Sequence, residues 1–413
     1  MRRRGVRLMI IGGLMSGSLL TGCSTSGSGA ADPSPSVAAS SAASPDTPEA
    51  KTSPSASDSP EPSASPSGSP TARATAGSAT GSVRIERTIA DGLNVPWGLA
   101  LLPGGDLLMT SRDDRTITRI DLATGGRTVI GTIDDAVSNV TSGGEAGLLG
   151  IAVSPTFGSD RHIFVYYSTA DDNRIARLTY DPRADHGRQL SHQKVILSDI
   201  PHGLHHDGGR IAFGPDGRLY ASTGEAGEPS LSQDKSSLGG KILRMTASGA
   251  PAPGNPDPDS VIWSIGHRNV QGLAWDPAGR LWASEFGDKS ADELNLIKPA
   301  RNYGWPDTQG RTDDRRFTGP VAQWGTDEDS PSGIAYAAGA IWMAALQGER
   351  LWRIPLDGAE PVAAPQDFLN GDHGRLRSVL AVDADSILVS TSNTDGRADP
   401  GAGDDRLLLL QVS

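Results

Sequence analysis

Six weakly similar passages recur along this chain of 413 residues, and they constrain its fold more than any other feature. Each passage joins a short apolar start to a Pro or Asp/Gly turn and then to a strand with alternating apolar residues, as in 214–222. The passages start near residues 97–100, 147–150, 209–212, 272–275, 333–336 and 377–380. Repeats of roughly 45–60 residues that hold several strands each are typical of a β-propeller. The pattern therefore predicts an all-β, six-bladed β-propeller with four-stranded blades. It disfavours a β-sandwich, in which the same strand-turn-strand motif would not occur six times.

The N-terminus is predicted to be a lipoprotein signal peptide over residues 1–22. Four arginines among the first seven residues precede a short apolar run, 8–20, and Leu-Thr-Gly then leads to Cys23. Cys23 is the only cysteine, so an internal disulfide is excluded, and lipidation would cap the exported thiol. The alternative is an ordinary cleaved signal with an incidental cysteine. We expect an exported protein on the outer face of the cell membrane, held there through a lipid anchor only.

Composition divides the rest of the chain into two parts. Residues 23–81 are rich in Ser, Ala and Pro and contain no aromatic residue, which predicts a disordered tether. Residues 82–413 are long enough for one large domain, the propeller. The formal net charge of −12 argues against a nucleic-acid partner.

A histidine cluster opens the third repeat in the stretch 202–210, His-Gly-Leu-His-His-Asp-Gly-Gly-Arg. A histidine with a pKa near neutrality can abstract a proton from an alcohol, and His206 is the candidate. Three histidines within five positions could also bind a metal or be solvated loop residues.

Two arginine motifs favour an anionic ligand. Arg268 and Asn269 follow a strand-like run, and they offer a planar guanidinium and an amide to a flat ligand with carboxylates. Arg375 and Arg377 would point to the same face of a strand, where they would repel one another unless an anion lay between them. A surface strand with two solvated arginines is the alternative for the second motif.

The acidic stretch 284–295 and the following 301–306 supply carboxylates around a Gly loop. Hard oxygen ligands of this kind suit Ca²⁺. A solvated acidic loop is a credible alternative for Asp288 and Asp292, and a poorer one for Glu293.

These segments, in this order, resemble the soluble sugar dehydrogenases that depend on pyrroloquinoline quinone (PQQ), the glucose/sorbosone dehydrogenase-like family, and most closely its compact aldose sugar dehydrogenases. The resemblance implies PQQ- and Ca²⁺-dependent oxidation of an aldose sugar to its lactone, with His206 as general base and hydride transfer to the quinone. It implies that Glu225 orients the histidine. The cofactor contacts that it implies are Glu145, Arg268, Asn269, Arg375, Arg377 and the residue at position 347.

The resemblance also implies two calcium sites. Carbonyl oxygens of Gly287 and Asp288 would hold the calcium that bridges to the quinone. Glu293, the carbonyl of Tyr303 and Asp313 would form a second, structural site.

Two positions depart from the family pattern. Asp288 replaces a usual proline, which a carbonyl ligand tolerates. Gln347 replaces a lysine, so a charge-assisted contact worth about 1 kcal/mol more than a neutral one is lost. Arg350, three residues further on, is a candidate substitute for that lysine.

Two other functions remain open from the sequence. One is a propeller that binds carbohydrate or protein without turnover, and the other is a metal-dependent lactonase. The sequence assigns no particular sugar, electron acceptor or oligomeric state.

Overall fold

The structure is a computed structural model that describes residues 77–413, and its strands form six separate sheets. Neighbouring strands within each sheet run antiparallel. The predicted six-bladed, all-β propeller with four-stranded blades is therefore confirmed. The predicted signal peptide, Cys23 and nearly all of the predicted tether lie outside the described residues.

Strand β1 (Val83–Ala90) belongs to the last blade, and the other strands follow blade by blade. Blade 1 contains β2 (Pro96–Leu101), β3 (Leu107–Ser111), β4 (Thr116–Ile120) and β5 (Arg127–Thr132). Blade 2 contains β6 (Leu148–Val153), β7 (His162–Ser168), β8 (Asn173–Tyr180) and β9 (Leu190–Ile200). Blade 3 contains β10 (Ile211–Phe213), β11 (Leu219–Ser222), β12 (Lys241–Met245) and β13 (Ile262–Ile265).

Blade 4 contains β14 (Asn269–Trp275), β15 (Leu281–Phe286), β16 (Asp292–Ile297) and β17 (Ala322–Trp324). Blade 5 contains β18 (Pro331–Ala337), β19 (Ala340–Ala345), β20 (Arg350–Asp357) and β21 (Glu360–Pro361), with a fifth strand, β22 (Gln366–Phe368), also on β20. Blade 6 contains β23 (Leu376–Ala381), β24 (Ser386–Thr391) and β25 (Leu407–Val412), and β1 completes it. Helix within residues 77–413 is limited to α1 (Phe157–Asp160) and two 3-10 turns, Val140–Ser142 and Pro229–Ser232. In the described part of the chain no helix is long and apolar enough to cross a membrane.

The innermost strands approach one another closely where the repeats carry glycine. A Cβ atom at Gly98 in β2 would lie 2.7 Å from the carbonyl oxygen of Leu149 and 2.9 Å from the amide nitrogen of Ile151 in β6. Gly272 in β14 faces the carbonyl of Ser332 in β18 in the same way. The repeated small residue therefore lets neighbouring inner strands pack together around the propeller axis.

The ring is closed by pairing strands from the two ends of the described chain. Strand β1 runs antiparallel to β25, with Val83 opposite Val412, and so supplies the outer strand of blade 6. Apolar side chains from adjacent blades then fill the space between them, including the fully buried Trp282 and Trp342.

Residues 77–81 also contact the propeller. The amide of Gly77 donates to the carbonyl of Leu356 at 2.8 Å, and Arg353 donates to the carbonyl of Ser78 at 3.0 Å. Five residues of the predicted tether therefore extend the ordered domain beyond its predicted boundary at 82.

Candidate functional site

Two adjoining clefts lie where the ends of the inner strands meet. The first, with an empty volume of about 580 Å³, is lined by residues from all six blades: Trp97, Glu145, Asp207, Gln271, Gln347 and Arg375 among them. The second, of about 700 Å³, is lined by residues that include His206, Arg268, Gly287, Asp288 and Asp292. Phe286, Ser330 and Gln347 line both clefts, so a ligand bound in one cleft reaches the border of the other.

His206 lies on a loop before β10 and forms a close pair with Glu225. The His206 Nδ1 atom is 2.6 Å from Glu225 Oε1, and the glutamate side chain is almost fully buried while the histidine is 20% exposed. The backbone at His206 is left-handed, with φ of 64°, and its amide donates to Glu145 Oε2 at 3.1 Å. Glu145 and Glu225 thus hold the imidazole so that Nε2 remains available to the second cleft.

The other two histidines of the motif have different surroundings. His202 Nδ1 lies 3.1 Å from the buried Asp207, which raises the pKa of this histidine by accepting its hydrogen bond. His205 lies beside Arg397, at 3.5 Å. Neither lines the second cleft, which favours His206 as the base.

Arg268 and Asn269 are held by neighbouring loops. The Arg268 amide donates to Glu285 Oε1 at 2.5 Å, and its guanidinium packs over the Trp305 ring with the centroid 5.4 Å away. The guanidinium has only long contacts to Phe286 O and Asp288, at 3.4 Å each, and among the described residues its buried Nε has no partner. Asn269 is buried, and its Oδ1 accepts the amide of Gly208, so it supports the loop of the base.

Arg375 and Arg377 point to the same side, and a carboxylate of the protein lies between them. Asp395 Oδ2 accepts hydrogen bonds from Arg375 and Arg377 at 3.1 Å each. Burial alone would raise the pKa of Asp395, but Arg377 and Arg375 outweigh it and hold the pKa below its usual value. The anion that the sequence predicts between the two arginines is therefore supplied by the Asp395 carboxylate of the protein itself.

Further arginines lie at the first cleft. Arg112 and Arg397 line it together with Arg375 and Arg377, and these four face the carboxylates of Glu145, Asp207, Asp113 and Asp395. Arg210 lies beneath, stacked on Trp97 with its centroid 4.3 Å away, and burial and then Arg377 lower its pKa to about 9. This cleft suits a ligand that carries several carboxylates.

The acidic loop of blade 4 lies in the second cleft. Asp292 accepts the amides of Gly287 and Ser330 at 2.7 Å each, and burial raises its pKa to about 6. Asp288 faces Arg268, and Gly287 and Asp288 both line the cleft. A buried carboxylate without a full countercharge, beside the cleft-lining residues Gly287 and Asp288, is a suitable environment for a cation.

A smaller pocket of about 230 Å³ lies beneath this loop, and Glu293 and Tyr303 line it as the sequence predicts. Burial and then Glu285 raise the pKa of Glu293 to about 8. Asp313 is exposed and does not line the pocket, whereas Glu285 does. No three His, Cys, Asp or Glu side chains within residues 77–413 are grouped to hold a metal, so carbonyl oxygens would have to complete any cation site there.

Gln347 lies at the border of the two clefts, where the sequence predicts a cofactor contact. Arg350 does not replace the missing lysine. Its guanidinium donates to the carbonyl of Gly348 at 2.8 Å and faces Asp367 at 3.4 Å, away from both clefts.

Comparison with known proteins identifies the family. The sequence model of the glucose/sorbosone dehydrogenases matches residues 93–408, which is almost the whole propeller. The chain belongs to the glucose/sorbosone dehydrogenase family. The predicted membership is confirmed.

Solved members of the glucose/sorbosone dehydrogenase family share the fold. The PQQ-bound aldose sugar dehydrogenase of Streptomyces coelicolor is 57% identical, with a TM-score of 0.80 over 82% of this chain and 100% of that one. An oxidoreductase of Thermus thermophilus, provisionally described as a glucose dehydrogenase, is 39% identical, with a TM-score of 0.72 over 80% of this chain and 100% of that one.

A curated relative is the quinoprotein glucose dehydrogenase B of Acinetobacter calcoaceticus, 28% identical over 290 residues, or 62% of this chain and 60% of that protein. The chain spans about three-fifths of the length of the first curated relatives it matches, 58%, 60% and 63%.

Four residues of the site were not predicted from the sequence: Arg112, Glu285, Asp395 and Arg397. Each acts between segments that the ring brings together, as Asp395 does with Arg375 and Arg377. The only local signal is for Glu285, which lies in the acidic stretch already noted for calcium.

Proposed function

We propose that this protein catalyses the PQQ- and calcium-dependent oxidation of aldose sugars to lactones. The observation that carries the proposal is the paired His206 and Glu225, 2.6 Å apart, in a cleft that also contains Arg268 and adjoins an arginine-lined cavity. A polarised base beside a site for a planar polyanion is the arrangement that this reaction needs. The family membership and the PQQ-bound Streptomyces relative support the same activity.

The residues present fit PQQ, which carries three carboxylates. Arg268, Arg375 and Arg377 would hold these groups, while Glu145 and Gln347 border the same space and Asn269 supports the loop of the base. The unpartnered Nε of Arg268 is a donor that a ligand carboxylate would satisfy. Bound PQQ would supply the acceptor for the two electrons and the hydrogen that leave the anomeric carbon.

His206 would remove the proton of the anomeric hydroxyl through Nε2. Glu225 fixes the tautomer through Nδ1 and stabilises the imidazolium that results, because its buried carboxylate lies within hydrogen-bonding distance. Glu145 holds the backbone of the base through its amide, which keeps the imidazole directed at the substrate.

Calcium is proposed at two places. The carbonyl oxygens of Gly287 and Asp288 would hold the ion beside the cofactor, and the uncompensated charge of Asp292 favours a cation there. Glu293 with the carbonyl of Tyr303 would hold the second ion. Of the predicted ligands, Asp313 has no support from the geometry, and Glu285 occupies the place expected for it.

Activity of the purified protein tests this proposal. PQQ and CaCl₂ are added, and reduction of a redox dye is followed with several aldoses. Turnover that requires both additions and is lost with His206→Ala supports the dehydrogenase. Lactone hydrolysis with a metal but without PQQ would support the lactonase, and neither reaction would leave a binding propeller.

We also propose that the mature protein is exported and lipidated at Cys23. The basis is the order of residues before Cys23 in the sequence. Cys23→Ser should release the propeller into the medium or leave an unprocessed precursor. Unchanged membrane fractionation of that variant would contradict the anchor.

A further inference from the structure

Arg268 lies between the cleft that contains His206 and the small pocket around Glu293. It lines both spaces, together with Phe286 and Gly287. Arg268 therefore borders the pocket that holds the buried carboxylates of Glu285 and Glu293 on one side and the proposed cofactor site on the other. Whatever changes the charge in the small pocket changes the field at Arg268.

Glu285 is the carboxylate that links the two spaces. Its Oε1 accepts the amide of Arg268 at 2.5 Å, and its Oε2 lies 2.8 Å from His267 Nδ1. The Nε2 atom of His267 lies 2.8 Å from the hydroxyl of Ser264, and all three side chains are buried. Glu285 therefore fixes the backbone that directs the Arg268 side chain.

Glu285 is also tied to Glu293. The amide nitrogen of Asn295 donates to Glu293 at 2.9 Å and to Glu285 at 3.3 Å, and the three side chains lie on adjacent strands β15 and β16. The oxygen of that buried amide has no partner among the described residues. Glu285 also accepts the backbone amide of Arg268 and faces the His267 ring, and Glu293 accepts the amide of Gly310. No Lys or Arg side chain within residues 77–413 forms an ion pair with either carboxylate, and a divalent cation in the pocket would match their charge better.

His267 connects Glu285 to Tyr303, whose carbonyl is the proposed calcium ligand. Its ring stacks on Tyr303 with centroids 4.7 Å apart and an interplanar angle of 22°. A cation bound by Glu293 and the carbonyl of Tyr303 would therefore act on the two side chains that contact Glu285. These are Asn295, which is hydrogen-bonded to Glu293, and His267, which stacks on Tyr303. This gives a continuous physical path from the small pocket to Arg268.

We propose that Glu285 is a positioning residue that couples a divalent cation in the Glu293 pocket to the binding of an anionic cofactor at Arg268. The Arg268 backbone amide contacts one of the two carboxylates, and Arg268 lines the pocket that holds both. A cation neutralises those carboxylates, and the charge of Arg268 is then available to a ligand carboxylate in the cleft. The inference rests on the proposed function, because it takes PQQ as the ligand of Arg268.

The coupling is measured by titrating the protein with PQQ at saturating CaCl₂ and following tryptophan fluorescence. Glu293→Gln keeps the shape of the side chain but removes the charge that holds the cation, and Glu293 lines neither of the two clefts. We expect PQQ to bind at least about fivefold more weakly to this variant, the lower end of typical coupling between sites. Glu285→Gln should weaken PQQ binding by a similar factor, and the double variant should add little further loss, since both act through one path.

Calorimetry with CaCl₂ alone supplies an independent readout. The wild type should bind one more calcium ion than Glu293→Gln in the absence of PQQ. Glu86→Gln, an exposed change on β1, is the matched control and should leave both calcium stoichiometry and PQQ affinity unchanged. If Glu285→Gln does not fold, the PQQ and calcium titrations of Glu293→Gln and the wild type still test whether the pocket is coupled to PQQ binding.

Equal calcium stoichiometry in the wild type and Glu293→Gln would overturn the proposal. Loss of the calcium site with unchanged PQQ affinity would overturn it as well, because the pocket would then be purely structural. Both results leave the proposed oxidation at His206 intact, although equal stoichiometry would also remove the second proposed calcium site. No PQQ binding by the wild type would instead overturn the proposed function and the coupling together.

Discussion

The chemistry proposed here depends on two carboxylates that act on one histidine by different routes. Glu225 contacts the imidazole at 2.6 Å, whereas Glu145 holds the backbone amide of the same residue at 3.1 Å. The first contact orients the ring, and the second holds the backbone of the loop. A left-handed φ of 64° at His206 is tolerated because these contacts determine the loop.

His206→Ala should lower kcat by about two to four orders of magnitude, because general base catalysis is lost. PQQ affinity should remain close to that of the wild type, since the arginines and not the imidazole are proposed to hold the cofactor carboxylates. His202→Ala and His205→Ala are the controls, and steady-state kinetics with an aldose compares the three. A larger loss with His205→Ala would show that the base is His205 and that the assignment to His206 is wrong.

Asp395 gives a prediction about stability. Asp395→Asn should lower the free energy of unfolding of the cofactor-free protein by about 3 kcal/mol, because Arg375 and Arg377 lose their buried counter-ion. PQQ should then raise the Tm of this variant by more than it raises that of the wild type, since its carboxylates replace the missing charge. Thermal unfolding with and without PQQ measures both effects. An equal rise in Tm on adding PQQ to the two proteins would contradict the idea that Asp395 and a PQQ carboxylate balance the same arginines.

The same residue sets a dependence on pH. The pKa of Asp395 is lowered in the folded protein, so the unfolded chain binds the proton more readily than the folded one. Its contribution to stability is complete above the ordinary pKa of 3.8 and is lost as the pH falls through the lower folded value. Denaturant unfolding of wild type and Asp395→Asn should therefore converge in acid. A difference between them that persisted unchanged in strong acid would contradict this assignment.

At the scale of strands, the inner strand of each blade has two tasks. It packs against its neighbours around the axis, and its ends carry side chains to the clefts. Strand β14 shows both, because Gly272 allows β18 to approach while Gln271 reaches the first cleft. The small residue in the repeated phrase is therefore a packing requirement and not a turn signal.

Gly98→Ala tests that requirement. Its Cβ would lie 2.7 Å from a backbone oxygen and 2.8 Å from Thr110 Oγ1, so strands β2 and β6 would have to separate. We expect a loss of about 1–3 kcal/mol in the free energy of unfolding. Gly158→Ala in the exposed helix α1 meets no atom within 4 Å and should change stability by about 0.5 kcal/mol or less. Similar losses in the two variants by urea unfolding would refute the packing argument.

The strands could be predicted from sequence because their signals are local. Period-two alternation and the Pro-Asp-Gly turns act within a few residues, and the structure has β10 and β11 on either side of the turn 214–218 as that pattern predicts. The single direction of Arg375 and Arg377 follows from the same alternation. Their shared carboxylate does not, because Asp395 lies eighteen residues after Arg377 and meets it only through the folded loop.

The proposed metal sites also combine features that could be predicted from the sequence with contacts that only the folded structure shows. The family resemblance implies a site with Glu293 and Tyr303, and both line one pocket. The resemblance points to Asp313 and not to Glu285, because the linear sequence does not show which carboxylate turns toward the pocket. That orientation depends on the pairing of β15 with β16, where Glu285 lies opposite Glu293.

At the scale of the whole molecule, ring closure makes the site. Arg268 in blade 4 and Arg375 in blade 6 border adjoining clefts only because β1 pairs with β25 and completes the last blade. Residues from all six blades line the first cleft, so the site depends on the complete ring. The central claim is that these distant arginines hold one anionic cofactor.

PQQ titration of the cofactor-free protein tests this claim most directly. Arg268→Ala and Arg375→Ala should each weaken binding by about 1.5–3 kcal/mol, because each removes a charge-assisted partner of a carboxylate. Gln347→Lys should tighten it, and Arg84→Ala, at an exposed position on β1, should leave it unchanged. Losses that combine non-additively in the double variant would place both arginines on one ligand. Equal affinities across the set, or no binding of PQQ by the wild type, would contradict the account.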